Sequence, residues 1–210
     1  MKPYLRVCAE INLNAAAYNL NSMKENLEDG TRMIAVVKTD GYGHGAIPIA
    51  RMAEAYDYLW GFATATVEEA LQLRQAGIRK PVLILGFTFP DACEEIVRQE
   101  IRPTVFTMAA AEQLSREAVR QGRTVSIHIK VDTGMSRIGL KDDREGAELV
   151  REISLLPNVE LEGLYTHFAR ADERDKGPAR EQLARFQEFA ELLKDRGVKK
   201  RMNHRSNTAG

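Results

Sequence analysis

Seven short apolar runs divide this 210-residue sequence, and the stretches between them carry apolar residues at helical spacing. That alternation confines the chain to the α/β class, because strands joined through helices run parallel and rely on those helices to cover them. Strands are predicted at 33–38, 60–64, 82–85, 103–106, 125–131, 161–165 and 201–204, the last the weakest. Helices are predicted over 14–27, 66–75, 90–98, 108–121, 143–155 and 178–196. Thr66 ahead of Glu69 reads as a capping box, and Gly77 and Gly197 as C-terminal stops. Uninterrupted β/α units can close as a barrel or open as a doubly wound sheet. Lys38, Arg137 and His167 fall at or just after the C-terminal ends of different strands, where barrel enzymes assemble their sites, so a (β/α)8 TIM-type barrel is expected. A whole barrel takes eight strands and ~250 residues. About seven units are legible here, so the barrel is expected to be incomplete.

Lys38 closes the apolar run Met33-Ile34-Ala35-Val36-Val37, which reads as a fully buried strand. An ammonium is expensive to desolvate, so a lysine at the end of such a strand reaches into a site, where burial suits it to Schiff-base chemistry or to service as a general base. The turn that follows, Thr39-Asp40-Gly41-Tyr42-Gly43-His44-Gly45, alternates glycines with rings and lets backbone approach a ligand closely. Through Ala46 it also satisfies a loose dinucleotide fingerprint. That rival needs an acid at the end of the next strand, which instead runs into Thr64-Ala65-Thr66.

Thirty basic and thirty acidic side chains leave the chain formally neutral. With no basic stripe and no block of like charge, neither nucleic acid nor membrane is indicated as a partner. The N-terminus lacks a signal-peptide core and no apolar stretch reaches ~18 residues, so a soluble, cytoplasmic protein is expected. Cys8 and Cys93 make no disulfide framework, and no metal-ligand spacing is present at these cysteines or at His44, His128, His167 and His204.

Two further segments carry chemistry. In 125–131 alternation places His128 and Lys130 on one side, and Asp132-Thr133-Gly134 then form a polar turn expected to aim Arg137 inward, where its fork of donors suits a phenolate, carboxylate or phosphate. Gly163-Leu164-Tyr165-Thr166-His167 ends the next strand in a histidine. Beside apolar residues such a histidine is more often a hydrogen-bonded core group than a catalyst. After the last strand comes His204-Arg205-Ser206-Asn207-Thr208, and Thr208 lies where barrels often bind phosphate.

Taken together, Lys38 to Gly45, the run Lys130-Val131-Asp132-Thr133-Gly134-Met135 with Arg137, then His167 and Asn207-Thr208, resemble the alanine racemase family in order and spacing over nearly the whole chain. The family is of fold type III and uses pyridoxal 5′-phosphate (PLP). Thr39 stands where alanine is commoner and Thr208 where serine is, which keeps the hydroxyl. The resemblance implies that Lys38 carries PLP as an aldimine and acts as one of two bases on the α-proton. It implies that Tyr42 and Thr208, with Asn207 beside them, hold the phosphate. Arg137 would meet the PLP phenolic oxygen and the substrate carboxylate, Lys130 would orient Arg137, carboxylated as it often is in the family, and His167 would sit in a hydrogen-bond chain to the opposite base. Residues 1–13 would form a segment associating with a C-terminal β domain, and 14–210 the PLP-binding barrel short of its eighth strand. The opposite base, a tyrosine of the partner subunit in a homodimer, and the arginine on the pyridine nitrogen are expected beyond residue 210. The implied reaction is interconversion of L- and D-alanine, supplying D-alanine for peptidoglycan, with this portion inactive alone. The alternatives are a stand-alone PLP-binding barrel with a carrier or regulatory role, and a racemase for serine or a broader range of amino acids.

Overall fold

The computed structural model describes residues 6–209; Met1 to Leu5, the start of the opening segment, and Gly210 lie outside it. The chain divides into two compact units, Met1–Pro81 and Val82–Gly210.

The first unit carries helix α1 (Leu13–Glu25), strand β1 (Met33–Val36), the short turn α2 (Lys38–Tyr42), helix α3 (Ala46–Ala53), strand β2 (Leu59–Thr64) and helix α4 (Val67–Gln75). Asn12 caps α1, its side-chain oxygen accepting from the Asn14 and Ala15 N–H groups. β1 and β2 are parallel, with Ala35 opposite Phe62. β2 is buried from end to end and anchors this core with Leu59, Phe62 and Ala63, which Leu73 and Ala70 of α4 join. Gly61 admits the Pro81 carbonyl, since a Cβ at 61 would overlap it, and the neighbouring Phe62 N–H donates to that oxygen at 2.8 Å.

The second unit runs β3 (Val82–Ile84), a 3-10 turn into α5 (Cys93–Arg98), β4 (Arg102–Val105), α6 (Met108–Gln121), β5 (Val125–Asp132), β6 (Leu140–Lys141), α7 (Arg144–Ser154), β7 (Val159–Tyr165), α8 (Gly177–Asp195) and β8 (Met202–His204). Within it the hydrogen-bonded order is β3-β4-β5-β7-β8, all parallel, with β6 alongside β5. β5 is central. Ile127 and Ile129 are fully buried on one of its faces, and His128 and Lys130 are buried on the other. Helices supply the apolar cover through Leu114 and Ala118 of α6, Val150 and Ile153 of α7, and Phe186, Phe189 and Leu193 of α8. Thr107 and Asp143 cap α6 and α7 through their side-chain oxygens.

Every strand expected from the sequence is present, most of them displaced by a residue or two. The instructive departure is β1, which ends at Val36 rather than at Lys38. It is also not fully buried, for Met33 to Ala35 are intermediate and Val36 is 41% exposed. Among the described residues β1 pairs with β2 alone, so one edge has no partner strand. β6 was not expected. It forms because Gly139, at φ 128°, brings Leu140 against Val131, and any Cβ at 139 would press on the Asp132 backbone. Among the described residues no helix is long and apolar enough to cross a membrane.

Candidate active site

In the first unit the chain leaves β1 through a turn of the wrong hand. Thr39, Asp40, Gly41 and Tyr42 have φ of 55°, 49°, 62° and 55°, four consecutive left-handed residues of which only one is glycine. Each non-glycine residue in that region costs about 1–2 kcal/mol, and the β-branched Thr39 is the least suited of them. Local hydrogen bonds offset the strain. The Gly41 N–H donates to the Val37 carbonyl (2.8 Å), Gly43 to Thr39 (3.1 Å) and Gly45 to Asp40 (2.8 Å), while the Asp40 carboxylate accepts from the Ala46 N–H at the start of α3 (2.8 Å). Lys38 opens this turn and is half-buried. Its Nζ lies 5.8 Å from the centre of the Tyr42 ring and makes no hydrogen bond or ion pair with the described residues. Tyr42 is 60% exposed.

Glu69 reaches this turn from α4. Its Oε1 accepts from the Thr39 N–H at 2.7 Å and its Oε2 from the Ala65 N–H at 2.8 Å. The expected capping box is therefore half-made. Thr66 Oγ1 accepts from the Glu69 N–H at 3.4 Å, but the glutamate carboxylate serves the ends of the two strands rather than the Thr66 N–H.

In the second unit the sequence-predicted residues lie near the end of β5 or in the loops after β5, β7 and β8. Lys130 is 3% exposed and donates to the Val131 carbonyl at 2.7 Å, with Nζ 5.6 Å from the centre of the Tyr165 ring. Burial lowers its pKa to about 8, Asp132 opposing that fall and Arg137 adding to it. The polar turn after β5 is built as expected, the Asp132 carboxylate accepting from the N–H groups of Gly134 (3.0 Å) and Ser136 (2.9 Å). Arg137 follows this turn and is exposed, and its charge bears on the buried Lys130 and Tyr165.

His167 is half-buried just after β7, and its carbonyl accepts from Gln182 Nε2 at 3.2 Å. Gln182 also donates to Thr133 Oγ1 (3.2 Å) and accepts from the Ala169 N–H (2.9 Å), so one buried amide of α8 ties the loop after β5 to the loop after β7. Sequence reasoning missed it. The available signal was a glutamine on the apolar stripe shared with Phe186, Phe189 and Leu193. Asn207 accepts from the Ala209 N–H (3.2 Å), and Thr208 is exposed in the same turn.

Beneath these groups runs a buried polar chain that the sequence did not disclose. Arg102 Nε donates to Glu162 Oε2 (3.1 Å), which lies 3.2 Å from His128 Nε2, while His128 Nδ1 lies 2.9 Å from His204 Nε2. Burial alone would raise the Glu162 pKa, but hydrogen bonds and charge from His128 and Arg102 outweigh it and hold the carboxyl at about 2. An ionised Glu162 only accepts, so His128 carries its proton on Nε2 and accepts at Nδ1 from the His204 Nε2–H. Burial keeps both histidines below their ordinary pKa. The His204 ring stacks on Tyr165 (4.5 Å, 7°), whose phenol shares a hydrogen bond with Thr104 Oγ1 at 2.8 Å and is pushed up in pKa by burial. Gly163 is required opposite His128, since a methyl there would overlap the imidazole. Among the described residues no cluster suited to a metal ion occurs.

A family model for the N-terminal domain of alanine racemase matches residues 11–210. "Alanine racemase 2" of Caldanaerobacter subterraneus subsp. tengcongensis is 41% identical over 201 residues, which is 95% of this chain and 51% of that protein. Among solved structures, an alanine racemase of Clostridium difficile 630 superposes with a TM-score of 0.92 at 36% identity, over 95% of this chain and 52% of that one. A histidine racemase of Leuconostoc mesenteroides subsp. sake superposes with a TM-score of 0.83 at 27% identity, over 94% and 52%. The fold class is thus the incomplete TIM-type barrel expected from the sequence, and the chain spans about half the length of the relatives it matches.

Proposed function

Since the chain belongs to the family of alanine racemase N-terminal domains, we propose that it is the cofactor-bearing part of an amino-acid racemase that interconverts L- and D-alanine, with PLP attached at Lys38. The observation that carries this reading is the state of Lys38: a half-buried primary amine with no hydrogen bond or counter-ion among the described residues, held at a strand end by a strained turn. An amine so disposed suits attachment to a carbonyl. The fit to PLP is supported by the Lys38 amine, unpaired among the described residues, together with the exposed side chains of Tyr42 and Thr208, each able to offer a hydroxyl to an anion. Bound PLP would withdraw electrons from the α-carbon of the amino acid, making its proton removable.

The chain's own residues supply the rest. Lys38 would take or return the α-proton on one face, and Tyr42 and Thr208 would donate their hydroxyls to the phosphate, with Asn207 bracing the turn that carries Thr208. Arg137 would donate to the phenolic oxygen and the substrate carboxylate. Lys130 orients Arg137. Its pKa of about 8 leaves a fraction of the amine neutral near pH 7, the form that takes up CO2, and the resulting carbamate would attract the guanidinium that the ammonium repels. His167 belongs to the hydrogen-bond chain leading to the opposite face. One base cannot easily serve both faces of the α-carbon, so the second base is proposed to be a tyrosine from a β domain of the partner subunit in a homodimer. Residues 1–13 would pack with such a domain and 14–210 form the barrel domain. The setting would be cytoplasmic and the product D-alanine for peptidoglycan.

The likeness to a histidine racemase keeps a broader amino-acid range, or serine, as the second reading of the substrate. A stand-alone PLP carrier would share the Lys38 chemistry without turnover. The test is D-alanine formation from L-alanine, measured on this chain and on a full-length relative, both saturated with PLP. Loss of one of two acid–base groups costs ~10²- to 10⁴-fold, so this chain should turn over at least ~100-fold more slowly. Equal turnover would overturn the division of bases.

A further inference from the structure

We propose that Glu69 is a positioning residue for Lys38: its carboxylate clamps the ends of β1 and β2 and holds the left-handed turn from which the lysine projects. The inference rests on the reading of Lys38 as the PLP lysine and goes beyond it by naming what presents that lysine. A capping glutamate normally returns to the N–H of its own cap residue. Glu69 Oε1 instead accepts from the Thr39 N–H, the first amide after Lys38, and Oε2 from the Ala65 N–H just past β2. Both are charge-assisted bonds, at 2.7 and 2.8 Å.

The turn needs such a clamp. With φ of 55° at Thr39 and 49° at Asp40, the backbone leaves the lysine through two non-glycine residues of the disfavoured hand. Asp40 secures the far side of the turn by accepting from the Ala46 N–H. On the Lys38 side the Thr39 amide has Glu69 as its acceptor. Without it, Thr39 is free to relax toward the extended region that a β-branched residue favours, which would swing Lys38 away from its present direction. Glutamine is an informative replacement. Its amide oxygen can serve one N–H, but its NH2 then faces the other N–H donor to donor.

The test compares Glu69→Gln and Glu69→Ala with the unaltered chain in two independent measurements. The first is amide hydrogen exchange at Thr39 and Ala65, which involves no cofactor. The second is the rate at which PLP attaches to Lys38, trapped with borohydride and read on the Lys38 peptide, together with the pH at which the attached group changes its absorbance. Loss of a charge-assisted bond predicts about tenfold faster exchange at both Thr39 and Ala65 in Glu69→Ala and at one or the other in Glu69→Gln, and at least about tenfold slower attachment with a displaced absorbance titration, while the thermal midpoint moves little in Glu69→Gln. Faster exchange with unchanged attachment and titration would reduce the contact to a structural one and overturn the proposal, as would unchanged exchange. Should Glu69→Ala fail to fold, Glu69→Gln carries both measurements. If PLP labels a different lysine in the unaltered chain, the functional reading falls, and the exchange data alone decide whether the clamp exists.

Discussion

Lys38 and Lys130 are both lysines associated with parallel strands, yet their surroundings are opposite in kind. Lys130 sits inside β5, a strand buried along nearly its whole length, with β4 and β7 paired on its two edges and its ammonium on a neighbouring carbonyl. Lys38 follows β1, which has a partner on one edge alone among the described residues and leaves Val36 exposed, and it opens a turn of four left-handed residues. Low dielectric changes the first lysine's chemistry by lowering its pKa to about 8. The second is made available by backbone shape, through a strained turn held by carboxylates from Asp40 and Glu69. One lysine thus lies in a closely packed core and the other beside a strained turn, and the two should respond differently to pH and to mutation.

The largest stability effect is expected where the core around Lys130 depends on its buried charge chain. Glu162→Ala strips the acceptor from both His128 and Arg102 and should destabilise the chain by about 2–4 kcal/mol in denaturant titration. A loss below about half a kcal/mol would mean that the chain of groups adds nothing to the core. The same groups set an acid limb. Both histidines sit below 6.5 in the folded state and Glu162 at about 2 against an ordinary 4.5. As pH falls, the unfolded chain therefore takes up protons before the folded one does. Stability should decline from about pH 6.5 downward and more steeply between 4.5 and about 2, and Glu162→Gln should flatten the steeper part.

A smaller effect of the opposite sign is expected at Lys130. Its folded pKa of about 8 lies below the ordinary 10.5, so the buried charge opposes folding below pH 8 and the penalty fades as pH rises from 8 to 10.5. In CO2-free buffer Lys130→Met should be as stable as the unaltered chain at pH 7 or more stable by about 1–3 kcal/mol, and should lose the rise across that window. A marked loss of stability in Lys130→Met would show that the ammonium is a net structural support, and the contrast with Lys38 would weaken.

How much of this was legible in the sequence follows from which forces are local. Apolar runs and helical spacing report burial along the chain, so the strands were found, α6 to the residue, and the alternation in β5 correctly put His128 and Lys130 on one buried side. The left-handed turn was hidden, because Thr39 and Asp40 have no local preference for it and Glu69 holds it from 30 residues away. Glu162, His128 and His204 come from three strands, and only the pairing of β5, β7 and β8 makes them a chain. Gln182 joins loops through α8 in the same non-local way.

The central claim is that Lys38, and no other lysine, is the amine that takes PLP. It is tested most directly by loading the chain with PLP, reducing with borohydride and mapping every lysine-containing peptide by mass spectrometry, with Lys38→Ala treated in parallel. The account predicts a pyridoxyl group on the Lys38 peptide and none on the Lys130 peptide, and no stoichiometric label in Lys38→Ala. A label on Lys130 or any other lysine, or undiminished labelling of Lys38→Ala, would contradict it.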